Sequence, residues 1–135
     1  MKTRKNYKII SSKIRSFTDL YAWREGHKLV MMVYRVAKRF PPEELFGLSA
    51  QIKRSVSSVT SNIAEGFSRQ SYKEKVRFYF IAKGSLTETQ DQLLTAVDSN
   101  YINKSEFKEL ADQAVIVHKI INGLIKKSKL YYSRF

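Results

Sequence analysis

Asn103-Lys104-Ser105-Glu106-Phe107-Lys108-Glu109-Leu110-Ala111-Asp112-Gln113-Ala114-Val115-Ile116-Val117-His118-Lys119-Ile120-Ile121-Asn122-Gly123-Leu124-Ile125 is the stretch that decides the fold. Phe107, Leu110, Ala111, Ala114, Val117, Ile121 and Ile125 recur at three- and four-residue steps. That spacing gathers them on one face of an α-helix and cannot be drawn as an alternating strand. The Asn103-Lys104-Ser105-Glu106 run caps the start of this helix. Upstream, Ser71-Tyr72-Lys73-Glu74 forms a capping box that opens another helix, running to about Asn100 and aligning Phe78, Ala82, Ser85, Thr89, Leu93 and Ala96. Before it, a helix from about Glu43 to Gly66 carries the stripe Leu48, Ile52, Val56, Val59 and Ile63, with Glu43 and Glu44 at the favourable end of the dipole. Gly66 reads as its C-terminal cap, opening a turn to Gln70. The first helix spans Ala22 to Arg39, with Trp23, Gly26, Val30, Tyr34 and Ala37 on one face, and Pro41-Pro42 stops it.

The chain has only two prolines and five glycines, and no stretch alternates with period two over more than a few residues, which argues against sheet. Short connections between long helices imply antiparallel neighbours. The expected fold is therefore all-α, an antiparallel up-down four-helix bundle over residues 17–128. A basic flexible arm (1–16) precedes it and a basic, aromatic tail (129–135) follows.

With 135 residues, 43% of them hydrophobic, the chain is one domain's worth and long enough for a single core. No cysteine is present, so disulfides and thiolate metal sites are excluded. No apolar run approaches the roughly 20 residues of a membrane span, and the basic N-terminus lacks the apolar stretch of a secretory signal. These features point to the cytoplasm and away from a membrane. The net charge of +13 is unevenly spread: residues 1–18 hold six Lys/Arg and no acid, residues 41–100 balance, and residues 101–135 hold seven against three. Basic ends raise affinity for phosphate backbones, because each neutralised phosphate releases counterions. They also suit a solvated tail that aids solubility.

A second apolar stripe departs from a one-core design. Leu29, Met32 and Val36 lie away from the Trp23 and Val30 face, Val76, Phe80 and Leu94 lie behind the core stripe of the third helix, and Ile116 and Ile120 do so on the fourth. A monomeric bundle leaves a second face exposed, so these residues predict a homo-oligomer interface; wide core faces are the alternative.

Residues suited to catalysis are few. His27 and His118 fall near core stripes, where a structural histidine is the commoner outcome, and no Glu-x-x-His pair of a bundle metal site occurs. Neither a phosphate-cradling Gly-rich loop nor a nucleophile motif is present. A non-enzyme without metal or cofactor is expected. Arg54, Ser58, Ser61, Asn62 and Glu65 form a polar stripe beside the core of the second helix, with Arg69 following. One reading is a structural network of Arg54, Ser58, Asn62, Glu65 and Glu88 fixing helix register or subunit contacts. The other is phosphate contact through Lys53, Arg54, Arg69, Lys73 and Arg77. Tyr7, Tyr72, Tyr131 and Tyr132, beside basic residues, suit stacking on unpaired bases.

Several ordered segments resemble a known family. Phe17-Thr18-Asp19-Leu20-Tyr21-Ala22-Trp23, Phe40-Pro41-Pro42-Glu43-Glu44-Leu45-Phe46-Gly47-Leu48 and Gln51-Ile52-Lys53-Arg54-Ser55 are followed by Asn62-Ile63-Ala64-Glu65-Gly66 with Arg69 and Ser71. Arg77-Phe78 and Ile81-Ala82-Lys83-Gly84-Ser85 with Glu88 complete the series. Over about residues 17–127 it resembles the bacterial four-helix-bundle proteins encoded within 23S rRNA intervening sequences. The family is also similar to the accessory protein of diversity-generating retroelements, a basic pentamer that binds nucleic acid and a reverse transcriptase. The resemblance implies a bundle that assembles as a ring, typically a pentamer, and supplies no reaction. Arg54, Glu65, Gly66, Arg69, Gly84 and Glu88 carry over as motif positions. Ser55 and Ser57 stand where the family commonly has small apolar residues, so a more polar second helix is expected.

The resulting expectation is a noncatalytic oligomer that binds RNA or another nucleic acid through basic surfaces. The alternative is a ring-forming protein-interaction scaffold without direct nucleic-acid binding.

Overall fold

The computed structural model describes residues 14–134; residues 1–13, holding most of the expected arm with Tyr7, and Phe135 lie outside the described residues. Four helices build the fold: α1 (Tyr21–Ala37), α2 (Leu48–Ser68), α3 (Tyr72–Asp98) and α4 (Lys104–Lys129). Short 3-10 turns lie at Phe17–Asp19, Pro42–Glu44 and Tyr132–Arg134, and no strand occurs among the described residues. Each helix packs on the next, and α1 closes the bundle against α4. Partners across α2 and α3 run in opposite directions, from Arg54 with Glu88 to Ser58 with Ser85. The expected antiparallel up-down bundle is the observed one.

The α2 and α4 stripes read from the sequence are the buried ones: Ile52, Val56, Val59, Ile63, Val117 and Ile121 are fully enclosed. The α1 face is a correction. Its buried arc is centred on Leu29 and Val33, both at 0% exposure, and Tyr34 turns outward. Trp23, the largest apolar residue of the helix, packs at the bundle edge instead, edge-to-face on Phe17 at 5.3 Å and stacked on His27 at 4.7 Å. Gly26 takes an inner position, where a Cβ would stand 3.1 Å from the Thr60 methyl. As a result Leu29 and Val36 belong to the chain's own core, as does Val76. They do not form an exposed second stripe, because a bundle core of four wide faces absorbs them. Met32 is half-buried, while Phe80 and Leu94 remain about half exposed.

Local chemistry sets the connections. Glu44 accepts the Leu48 N–H at 2.9 Å and the Tyr101 hydroxyl at 2.8 Å, so it caps α2 from a 3-10 turn before the helix instead of from the helix's own first turn. Gly47 leaves room for this, since a Cβ there would meet the capping oxygen at 2.6 Å. Ser71 accepts the Glu74 N–H, forming half of the expected capping box, and Asn103 with Glu106 forms a complete one. At the end of α3, Asn100 takes the left-handed conformation (φ 63°) while the Tyr101 N–H returns to the Ala96 carbonyl. That is a Schellman stop with asparagine in the usual glycine position.

Gly66 lies inside α2 and does not cap it. A Cβ there would stand 2.7 Å from Tyr79 Cε1 and 3.0 Å from Phe78 Cβ. We expect Gly66→Ala to lower stability by about 1–3 kcal/mol through overpacking. Gly123→Ala, where the space is open, should raise it by about 0.5–1 kcal/mol through helix propensity; paired denaturant titrations check both. The Leu48 N–H and then the Tyr101 hydroxyl hold the Glu44 carboxyl below its ordinary value, and the Asn103 N–H and then Arg39 do so for Glu106. Both carboxyls therefore stabilise the fold above the unfolded carboxylate range, near 4.3, and lose that contribution as pH falls below it. Melting temperature measured against pH should decline on the acid side, with a shallower slope in Glu44→Gln.

Candidate nucleic-acid interface

Antiparallel packing determines where the charge goes. The N-terminus of α1 and the C-terminus of α4 lie at one end of the bundle, with Leu20 beside Leu124 in a shared cavity wall. The α2–α3 turn lies at that same end, where Tyr72 of α3 meets Tyr131 at a ring distance of 5.3 Å. Two segments remote in sequence thus converge: residues 14–18, the described end of an acid-free stretch with six cations, and residues 126–133, which carry Lys126, Lys127 and Lys129 and no acid. Ser16 and Asp19 fix the chain's entry through a capping box, and buried Asp19 accepts the Arg15 and Ser16 N–H groups. This entry motif was legible only as a family segment, with no role attached.

The cations of the α2–α3 turn join the same end. Glu65 and Glu74 there are both engaged by Arg69, at 2.9 and 3.8 Å, while Arg69 lies over the Phe78 ring at 4.6 Å. Arg77 lies over that ring too, at 5.1 Å. Lys73, Arg77, Lys126, Lys127 and Lys129 are exposed and form no ion pair among the described residues. Lysines 126, 127 and 129 suit the negative end of the α4 dipole. Lys73 and Lys75 do the opposite, placing positive charge where the α3 dipole is already positive. Lys75 is accounted for by its bond to the Phe67 carbonyl in the last turn of α2, at 2.6 Å, but helix stability does not account for Lys73.

The five sequence candidates therefore divide. Arg69, Lys73 and Arg77 lie at the basic end, whereas Lys53 and Arg54 lie farther along α2, roughly 22 Å away at 1.5 Å per residue. Lys53 rests over the Tyr34 ring at 5.6 Å, and Arg54 pairs with Glu88 at 3.2 Å.

Arg54 and Glu88 form the outer part of a polar seam between α2 and α3. Ser55 is fully buried and contacts the Thr89 hydroxyl at 2.8 Å and Gln92 Oε1 at 2.6 Å. Gln92 Nε2 donates to Glu88 at 3.3 Å, which carries the chain of bonds out to Arg54. Beside it, Ser58 meets Ser85 at 2.8 Å and Asn62 donates to Ser58 at 2.9 Å. The expected network thus holds Arg54, Ser58, Asn62 and Glu88, while Glu65 turns away to Arg69. Ser55, Ser85, Thr89 and Gln92 complete it. Their clue in the sequence was a polar residue at core spacing.

His27 stacks on Trp23, and His118 Nδ1 lies 3.4 Å from Asn122. Among the described residues no group of three His, Cys, Asp or Glu is placed to hold a metal ion, and no helix is long and apolar enough to cross a membrane.

These features define a small all-α bundle with a register-setting polar seam and a basic end. The chain belongs to the family of 23S rRNA-intervening sequence proteins, whose model matches residues 18–123. A crystal structure of a protein of unknown function from the S23 ribosomal protein family of Bacteroides thetaiotaomicron superposes with a TM-score of 0.72 at 22% identity, covering 78% of this chain and 98% of that one. That likeness is one of fold. Comparison with curated proteins gives no match.

Truncating Ser55 to alanine leaves the Gln92 oxygen without its buried donor, which we expect to cost about 1–3 kcal/mol. Arg54→Gln on the exposed rim should cost under about 1 kcal/mol. Chemical denaturation of the two variants separates buried seam from surface pair.

Proposed function

We propose that this protein is a noncatalytic, homo-oligomeric nucleic-acid-binding bundle of the cytoplasm, with RNA as its ligand. The observation that carries the reading is the gathering on one end of the bundle of Lys126, Lys127 and Lys129, the unpaired cations of the α2–α3 turn, and residues 14–18, the described end of an acid-free stretch that holds six cations in the sequence. Phosphate backbones bind such a surface by releasing counterions, and a strand lying on it relieves the repulsion between Lys73, Lys75 and the α3 dipole. The family's name links it to 23S rRNA intervening sequences, which supports RNA over other polyanions.

Self-association has separate support. Leu94 (51% exposed) and Val115 (45%) border a shallow apolar groove of 170 Å³ between α3 and α4, floored by Leu93, Phe107 and Ala111. A second copy is the proposed cover, and a ring of five is the assembly the family resemblance suggests.

Charge reversal at the basic end, Lys73→Glu with Lys126→Glu, should weaken RNA binding at least tenfold at 0.1 M salt and lower the slope of log affinity against log salt by about two. Lys53→Glu, away from that end, should have a smaller effect. Filter binding across a salt series checks this, and a wild-type protein that ignores single-stranded and structured RNA at low salt removes the proposal. Leu94→Glu should lower the mass measured by light scattering if the α3–α4 groove is the subunit contact. A protein partner retained in stoichiometric amount after nuclease treatment, with RNA binding absent, supports the scaffold reading instead.

A further inference from the structure

Between the α2–α3 turn and the end of α4 lies a 210 Å³ cavity. Phe67, Tyr72, Lys75, Tyr79, Lys127 and Tyr131 supply its aromatic and cationic wall, and among the described residues no Asp or Glu lines it. Leu20 and Leu124 add apolar surface and continue into an adjoining cavity of 280 Å³. Lys75 is the unusual member. Its ammonium lies 5.4 Å from the Phe67 ring and 5.8 Å from the Tyr72 ring, and donates to the Phe67 carbonyl at 2.6 Å. Burial lowers its pKa. An ammonium has three donors, so this one keeps two to offer. Burial also pushes the Tyr79 phenol up to about 12, so it stays protonated and able to donate.

We propose that this cavity receives a single unpaired nucleobase of an RNA strand whose phosphates lie on the surrounding basic end. The inference rests on the nucleic-acid reading above and specifies what the strand presents. The lining points to one ring system, because the aromatic and cationic wall is confined to the 210 Å³ part, whereas the adjoining 280 Å³ is lined mostly by aliphatic residues. Tyrosine and phenylalanine faces accept any base by stacking. The polar atoms of the wall are lysine ammoniums and hydroxyls, which can donate to base carbonyls and ring nitrogens. Among the described residues no carboxylate lies in the wall, and Asp19 of the adjoining cavity is engaged by Arg24, so little repels the attached phosphate. A paired base in a duplex is stacked on both sides and cannot enter, so the site selects single strands, loops or frayed ends.

The test uses the full-length chain and two fluorescent pentanucleotides of equal charge, one bearing bases and one abasic throughout. Wild type should bind the base-bearing strand about tenfold more tightly. Tyr131→Ala and Lys127→Met should each shrink that ratio, whereas Lys73→Glu should weaken both strands and leave the ratio intact. Circular dichroism confirms that the variants fold. Should Tyr131→Ala unfold, photo-crosslinking of a 5-iodouracil strand to wild type replaces it, with adducts expected on peptides containing Tyr72 or Tyr131. Equal affinity for the two strands, or adducts confined to other helices, overturns the cavity assignment and leaves the basic end standing. Failure of both strands to bind overturns both.

Discussion

The packing of α2 on α3 is the constraint from which the rest follows. A three-residue connection brings the two helices back to back at once, and they can meet there because Gly66 offers no side chain to Tyr79 and Phe78. From that contact the seam of Ser55, Ser58, Ser85, Thr89 and Gln92 extends along the interface, where hydroxyls and an amide satisfy one another in place of apolar packing. Apolar contacts tolerate sliding between helices. A buried hydrogen bond tolerates it poorly, since a shifted register leaves donors unpaired. The seam therefore fixes which turn of α2 faces which turn of α3, and α1 and α4 close the bundle over the result.

That register has an electrostatic outcome. In an up-down bundle of even helix number, the first helix starts and the last helix ends on the same side. The sequence spends its acid-free segments on those two ends, and the α2–α3 turn adds exposed cations of its own. Among the acids at this end, Asp19 is engaged by Arg24, and Glu65 and Glu74 share Arg69, so part of their charge is offset before it reaches solvent. The opposite end has the mixed charge of Glu43, Arg39, Glu106 and Glu109 and the almost fully exposed Phe46, at 91%. The molecule is polar along its long axis, and each end suits a different kind of surface.

Much of the fold was legible because helical periodicity reports burial directly. α2 and α4 read correctly since their aliphatic residues keep a single stripe. α1 misled because Trp23 dominates any wheel by size, yet size does not choose the interior: an indole with a polar edge settles at the rim, and Leu29 and Val33 fill the centre. The same misplacement made Leu29 and Val36 look like a second face, and drawing the α3 stripe through half-buried Phe78 did the same for Val76. Glu44 was legible as an acid near a helix start, but its bond to Tyr101, distant in sequence, was not. Of the candidate site, Arg54, Ser58 and Asn62 followed from spacing on one helix, and Glu88, on α3, from the family resemblance. The basic end and the aromatic cavity did not, because each is assembled from segments that only the closed bundle brings together.

The origin of the charge shapes how a bound polyanion acts on the fold. Ligands stabilise a protein only to the extent that the folded state binds them better than the unfolded one. Within each of the segments 1–18 and 126–135 the cations are near neighbours along the chain whether or not it is folded, so unfolded molecules compete for the same strand. Only what folding creates contributes to the difference: the meeting of the two segments, the turn between α2 and α3, and the enclosed wall of tyrosines. A polyanion bound mainly by charge would therefore hold on tightly while scarcely protecting the protein from heat, and the protection it does give would measure the share of binding that the bundle builds.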